Sequence, residues 1–334
     1  MTGGTGMFGQ VGVAEESTYG TYVAPTRFYE PTAEVSFGYV KNIYQGGGVA
    51  AGRGVKPGSM RVVTGKGGTG TLVIEARNSR LGLLLKHIFG STPTPTQQNT
   101  STGYLQAHTW TVDNSGKMLT IQSGVPNSTS NTPYSFLGCK VLAAEFACSG
   151  EELTLSIDFD FRDVTDAQTL ATASYVSGQK PFHWAQFTPK VHATYGSEAS
   201  VQGVRGFTFR VERPQDVDRR YGGNAGLKSE PLPNDDQIIS GTIDVDFLVK
   251  ADFADRFHAD TSAALMFEFV GASLGGSPTI YETLRLRASQ AFFNDGTPKL
   301  NGPGIVTTSY TWVGQNDLTN AVAACDYIST DTSL

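Results

Sequence analysis

Leu153-Thr154-Leu155-Ser156-Ile157-Asp158-Phe159-Asp160-Phe161-Arg162 places apolar residues at 153, 155, 157, 159 and 161 and polar residues between them. A period of two sustained this long predicts a strand with one face on a core and the other in water. Similar stretches flank it. On the N-terminal side come Val35–Val40, Gly70-Thr71-Leu72-Val73-Ile74-Glu75, His108–Val112, Lys117–Gln122 and Leu137–Phe146. On the C-terminal side come Pro181–Ala193, Val201–Glu212, Gly241-Thr242-Ile243-Asp244-Val245-Asp246-Phe247, Leu265–Val270, Tyr281–Phe293 and Val306–Val313. Short helices are predicted only around Ser79–Phe89 and Ala251–Ala259. The fold class is mainly β.

The two halves follow one plan. Each runs strand, long Gly/Pro/Arg loop, Gly-Thr strand, short helix. The Gly-Thr starts are offset by 171 positions and the strands before the loops by 172. Conserved order at a near-constant offset argues for a duplicated domain. The expected organisation is an N-terminal arm over 1–34, a first domain over 35–165, a second over 175–315 and a tail over 316–334. Within the arm, Phe8–Ala14 is suited to adding a strand to a neighbour, and the tail is expected to lie on a neighbour or stay loose. The 108–112 strand has no counterpart in the second half.

Composition agrees with many short strands joined by turns: 39 glycines, and charged residues at only 17% of 334 positions. A net charge of −6 lacks the clustered Lys/Arg of a nucleic-acid grip. The chain opens on no basic and apolar leader and contains no long apolar run, so synthesis in the cytoplasm without a secretion signal is expected. Cys139, Cys148 and Cys325 are odd in number and unpaired in spacing, which predicts buried free thiols.

Candidate chemistry is sparse. Gly65–Gly70 fits GxGxxG, but a strand follows where a dinucleotide site needs a helix, so a flexible turn is expected. None of His87, His108, His183, His192 and His258 stands at metal-ligand spacing from another; His87 and His258 read as helix C-terminal caps. Asp158/Asp160 and Asp244/Asp246 each share one strand face. A glycosidase pair can be built this way, yet carboxylates on a wet face are ordinary. Trp110, Trp184 and Trp312 are scattered singly, as cores use them, rather than gathered at a sugar-binding cleft. No cofactor is expected.

Two long loops are the most distinctive feature. The segment 42–70 carries Gly46, Arg53, Lys56, Arg61 and Lys66, and 214–240 carries Asp216, Asp218, Arg219, Arg220, Lys228, Glu230, Asp235 and Asp236. Loops this long in compact domains usually serve binding. One basic and one mixed-to-acidic loop on a repeated unit suit head-to-tail association.

Gly9–Thr21, Pro25–Glu30, Phe136–Val141 with Leu153–Phe161, Val204–Phe209, Gly241–Ile243 and Ala251–Phe257 together resemble the major tail tube proteins of long-tailed, siphovirus-type bacteriophages. The resemblance spans nearly the whole chain and rests on the order of motifs that are individually weak. It implies a β-sandwich with one flanking helix per copy, whose strands complete a barrel between subunits around a channel. It also implies stacked rings held by loops and arms, with no enzymatic activity. The expected partners are further copies of the chain, the tape-measure protein, and the tail terminator and distal tail proteins. Phage DNA passes through without specific binding. Six domains around a channel correspond to a trimeric ring of duplicated chains, with a hexamer as the alternative. A carbohydrate-binding or carbohydrate-cleaving β-sandwich, another tail or baseplate ring, and a contractile inner tube are the competing readings. On the tube reading, Asp244 and Asp246, with Asp158 and Asp160, face the channel and Ile243, Val245 and Phe247 face the core.

Overall fold

The protein is described here by a computed structural model covering residues 4–49, 51–300 and 302–334. Strands hold 48% of the chain. In the first half these are β1 (Gln10–Glu15), β2 (Arg27–Tyr29), β3 (Gly38–Tyr44), β4 (Val62–Glu75), β5 (Thr96–Gln97), β6 (Tyr104–Thr109), β7 (Leu119–Pro126), β8 (Asn131–Cys148), β9 (Thr154–Phe161) and β10 (Asp163–Thr165), with helix α1 (Gly82–Phe89) after β4. The second half holds β11 (Phe187–His192), β12 (Ala199–Ser200), β13 (Val204–Glu212), β14 (Gln215–Asp216), β15 (Leu232–Pro233), β16 (Ile238–Asp246), β17 (Ala263–Gly275), β18 (Ile280–Asp295), β19 (Thr307–Gly314) and β20 (Ala323–Ser329), with helix α2 (Ala254–His258) after β16.

Pairing follows one pattern twice. One layer of the first half runs β3-β4-β9-β8, using the C-terminal part of β8. The second half runs β13-β16-β19-β18 in the same way. The other layers run β2-β1-β7-β8-β10 and β12-β11-β17-β18-β20, with the N-terminal parts of β8 and β18. Each long strand therefore passes from one layer to the other. Both carry an extra residue at the matching point, between Val141 and Ala143 and between Phe293 and Asp295; such bulges bend a strand. β5 and β6 have no second-half counterpart and instead extend the second half's layer through β6–β20.

The alternation seen in the sequence decides which face is inside. Leu155, Ile157, Phe159 and Phe161 are buried, as are Ile243 and Val245. Phe37 stacks on Phe136 at 4.5 Å and approaches Phe159 at 6.0 Å. The matching second-half contacts are Phe207 on Phe267 at 4.3 Å and Phe209 near Trp312 at 5.5 Å. Such aromatic pairs add about 0.5–1.5 kcal/mol beyond the area they bury. Phe247 differs from expectation: it lies past the end of β16 and is more than a third exposed. α1 buries Leu84, Leu85, Ile88 and Phe89 and ends at Gly90, whose φ of 85° lets its N–H reach the Lys86 carbonyl.

Both chain ends depart from the expected arm and tail. β1 pairs with β2 and β7 of its own chain and buries Val11 and Val13. Directly after it, the buried Glu16 carboxylate accepts from Gly20 N at 2.7 Å, Thr120 Oγ1 at 2.8 Å and Gly138 N at 2.8 Å. β20 lies between β18 and β6, with Cys325 and Tyr327 fully buried. These segments supply core strands, because their apolar side chains find partners within the chain.

Gly65–Gly70 is no turn; it lies inside β4. A Cβ on Gly68 would stand 2.0 Å from the Gly38 carbonyl oxygen and 2.5 Å from the Phe161 ring, so glycine here permits close backbone approach. His87 is no cationic cap. Its ring is buried, Nδ1 bonds the Leu83 carbonyl at 2.9 Å, and burial lowers its pKa to about 4. The three cysteines are free and buried.

His108 is fully buried on β6, neither ring nitrogen has a protein partner among the described residues, and burial lowers its pKa to about 3. The unfolded chain therefore binds a proton that the folded chain refuses. Stability from this group is complete above about pH 6.5 and falls toward pH 3, by about 1.4 kcal/mol per pH unit. His108→Leu also removes two unpaired polar atoms. It is expected to raise the urea midpoint at pH 7 and to raise it further at pH 5; a gain that does not grow on acidification would contradict this.

Candidate assembly and channel surfaces

β8 and β13 form the junction between the halves. Cys148 opposes Phe207, Phe146 opposes Phe209, Glu145 opposes Arg210 and Ala143 opposes Glu212. The two four-strand layers thus join into one eight-strand run, β3-β4-β9-β8-β13-β16-β19-β18. At one end, β3 pairs only with β4 among the described residues. At the other, residues 291–295 of β18 pair with β19.

Opposed residues share a face, so register carries the polar side across six of these strands, β4 to β19. It presents Thr71 and Glu75 on β4, Ser156 and Asp158 on β9, Glu145 on β8, Thr208, Arg210 and Glu212 on β13, Thr242, Asp244 and Asp246 on β16, and Ser309 and Thr311 on β19. Asp158, Asp244 and Asp246 are therefore brought onto one surface. Asp158 accepts from Thr71 Oγ1 at 2.7 Å. Arg210 lies 2.5 Å from Glu212, 3.6 Å from Glu145 and 4.0 Å from Asp158. Arg205 holds Asp246 at 2.6 Å, and Asp244 is exposed. Carboxylates outnumber arginines on this face, which remains acidic.

Asp160 does not join them. It is fully buried beneath the second long loop and bonds Lys228 Nζ at 2.5 Å. Burial raises its pKa to about 6, with Lys228 opposing that shift. Beside it, the buried Lys140 pairs with Glu230, and burial lowers the Lys140 pKa. Glu230 also accepts from Gly116 N at 2.8 Å. Lys66 N donates to the Gly226 carbonyl at 3.2 Å, and Arg220 donates to the same carbonyl. Arg219 donates to the Glu230 carbonyl at 2.7 Å. The side chains of Lys228, Arg219 and Arg220, expected as contacts between rings, are thus engaged within the chain, whereas Lys66 is held there through its backbone N–H. Asp216, Asp218, Asp235 and Asp236 stay exposed.

The first long loop is shorter than expected, because β3 and β4 extend as a hairpin and leave 45–61 as its tip. Arg53, Lys56 and Arg61 are exposed there, and Gly46 adopts φ 68°. Val40, Ile43, Tyr44, Val49, Val55, Val62 and Val63 are also exposed on the hairpin and tip. Exposed apolar side chains gathered on one projection mark an interaction surface. The tip's charges were legible in the sequence; its apolar content was not expected, although the adjacent Val62 and Val63 signal it.

Among the described residues there is no group of three or more His, Cys, Asp or Glu placed to hold a metal ion, and no helix is long and apolar enough to cross a membrane. A family model described as phage tail tube protein matches residues 9–314. The chain belongs to the phage tail tube protein family. No curated protein matches it. Family membership makes this tail tube chain a structural component of the virion tail and implies that it assembles into a tube with other tail proteins. The match covers both halves, including β1 and β2.

Proposed function

We propose that this chain is the tube subunit of a siphovirus-type tail, closing as trimeric, pseudo-hexameric rings that stack into a hollow conduit for DNA. The carrying observation is the β8–β13 junction, which joins two layers of identical strand order edge to edge. A duplicated domain already paired this way needs only the same pairing between chains to close a ring. The unpaired outer side of β3 supplies one end of that pairing.

The acidic face from Asp158 to Asp244 and Asp246 lines the channel on this reading. DNA carries about one negative charge per 1.7 Å of axis, so a wall that bound phosphate would hold it back, whereas carboxylates keep it moving. The exposed tip with Arg53, Lys56 and Arg61 meets Asp216, Asp218, Asp235 and Asp236 of the next ring. Ring assembly in the host cytoplasm around a tape-measure protein, between terminator and distal tail proteins, completes the proposal.

Electron microscopy of the purified protein tests it. Hollow tubes with three chains per ring and Asp244 toward the lumen are expected. Six chains per ring, Asp244 on the outer wall, or a monomer at every concentration would overturn the corresponding part.

A further inference from the structure

The two halves are close enough in register for the internal junction to serve as a template for the contact between chains. Leu72 opposes Ile157 and Ile243 opposes Tyr310. Leu72 and Ile243 are therefore matching positions. Phe207 opposes Ile243, and carrying the β3–β4 register back from Gly38↔Thr69 past the start of β3, where Ser36 N donates to the Thr71 carbonyl at 3.3 Å, matches Val35 with Phe207. The matching bulges place Val141 with Phe293, hence Ala143 with Asp295 and Cys148 with Leu300. In the first half 143–148 is the part of β8 that pairs with β13. In the second half β18 ends at Asp295, which pairs with Thr311 on one side only, and 296–300 has no partner strand among the described residues.

We infer that residues 295–300 of one copy pair antiparallel with residues 35–40 of the next, placing Leu300 opposite Val35, Lys299 opposite Ser36 and Thr297 opposite Gly38. This rests on the ring reading above and specifies its contact. Burial supports it independently. At the internal junction Cys148 and Phe207 are 3% and 2% exposed, whereas Leu300 is 88% exposed and Val35 only half-buried. Alternation is also kept. Gly296, matching the buried Ala144, is buried, and Thr297 and Lys299, matching Glu145 and Ala147, are exposed. The occupant is therefore a second copy of this chain, whose β3 offers the unpaired edge. Pro298, which cannot donate a ladder bond, is where the two junctions differ most.

The test is a chain carrying Ser36→Cys and Lys299→Cys, both exposed positions, oxidised after assembly. A register-shifted chain, Ser36→Cys with Thr297→Cys, and the parent, whose own cysteines are buried, are the controls. Directly opposed Cβ atoms lie within disulfide reach, while a two-residue shift takes them beyond it, so about tenfold more linked product is expected from the first chain. Its ladder should stop at three chains on a non-reducing gel. Tubes that form normally yet give no disulfide, or link only through the shifted chain, would overturn this register and leave the tube reading standing. A parent that stays monomeric by microscopy and sedimentation would overturn both.

Discussion

Lys228→Ala is expected to lower the unfolding free energy by about 3 kcal/mol at pH 7, because it leaves the buried Asp160 without its cation. The loss has a ceiling. Burial already lifts the Asp160 carboxyl to about 6, so in the variant it takes up a proton rather than remain charged and alone. The sign of the pH dependence follows. Asp160 has a raised folded pKa in parent and variant, and the variant's is higher still. Above both values the full deficit is present. As pH falls through about 6 the carboxyl carries a proton in both chains, and the deficit shrinks toward the part due to lost packing. Urea unfolding at pH 8 and pH 5 measures this; equal deficits would show that the ion pair is not the source. Asp160→Asn in the same background should recover part of the loss, and the resulting double-mutant cycle isolates the coupling.

The second large effect concerns assembly rather than folding. A chain lacking residues 46–60, with Gln45 joined to Arg61 through a short glycine turn, is expected to keep its unfolding midpoint and to form no tubes. Contacts within the tip are local: Gln45 Nε2 donates to the Pro57 carbonyl at 3.3 Å, and Lys56 donates to the Gly48 carbonyl. Removing them costs the core nothing. Val49 and Val55 are almost fully exposed, and covering each on a partner contributes roughly 1.5–3 kcal/mol. Summed over the copies of a tube, that loss exceeds what a weak self-association survives. Microscopy and sedimentation give the readout, with circular dichroism to confirm folding. Tubes of normal length would remove the tip from the assembly contacts.

The sequence was informative where one face is wet and silent where tertiary contacts decide. The 153–162 alternation gave β9 and its inward residues, and the Gly-Thr pairs, read as strand starts but lying inside β4 and β16, pointed to a repeat. β20 was unreadable, since Ala-Ala-Cys-Asp-Tyr-Ile-Ser is buried on both sides and has no polar face to produce alternation. β1 was read as an arm because so short a run does not state whose sheet it joins. Asp158 and Asp160 look alike at spacing two. Lys228, 68 residues beyond Asp160, separates them, and no local pattern reports a loop folding back over a strand. The glycines of β4 read as a turn because their role, closeness to a neighbouring backbone, is invisible without the neighbour.

In the proposed trimeric ring, carrying both halves on one polypeptide changes how rings nucleate. Every second edge contact is closed by folding, at an effective concentration on the order of millimolar, before any two chains collide. That ring then closes through half as many contacts between chains as a ring of six single-domain subunits. The joined halves are also free to diverge, so neighbouring sectors of the wall can carry different chemistry at fixed geometry.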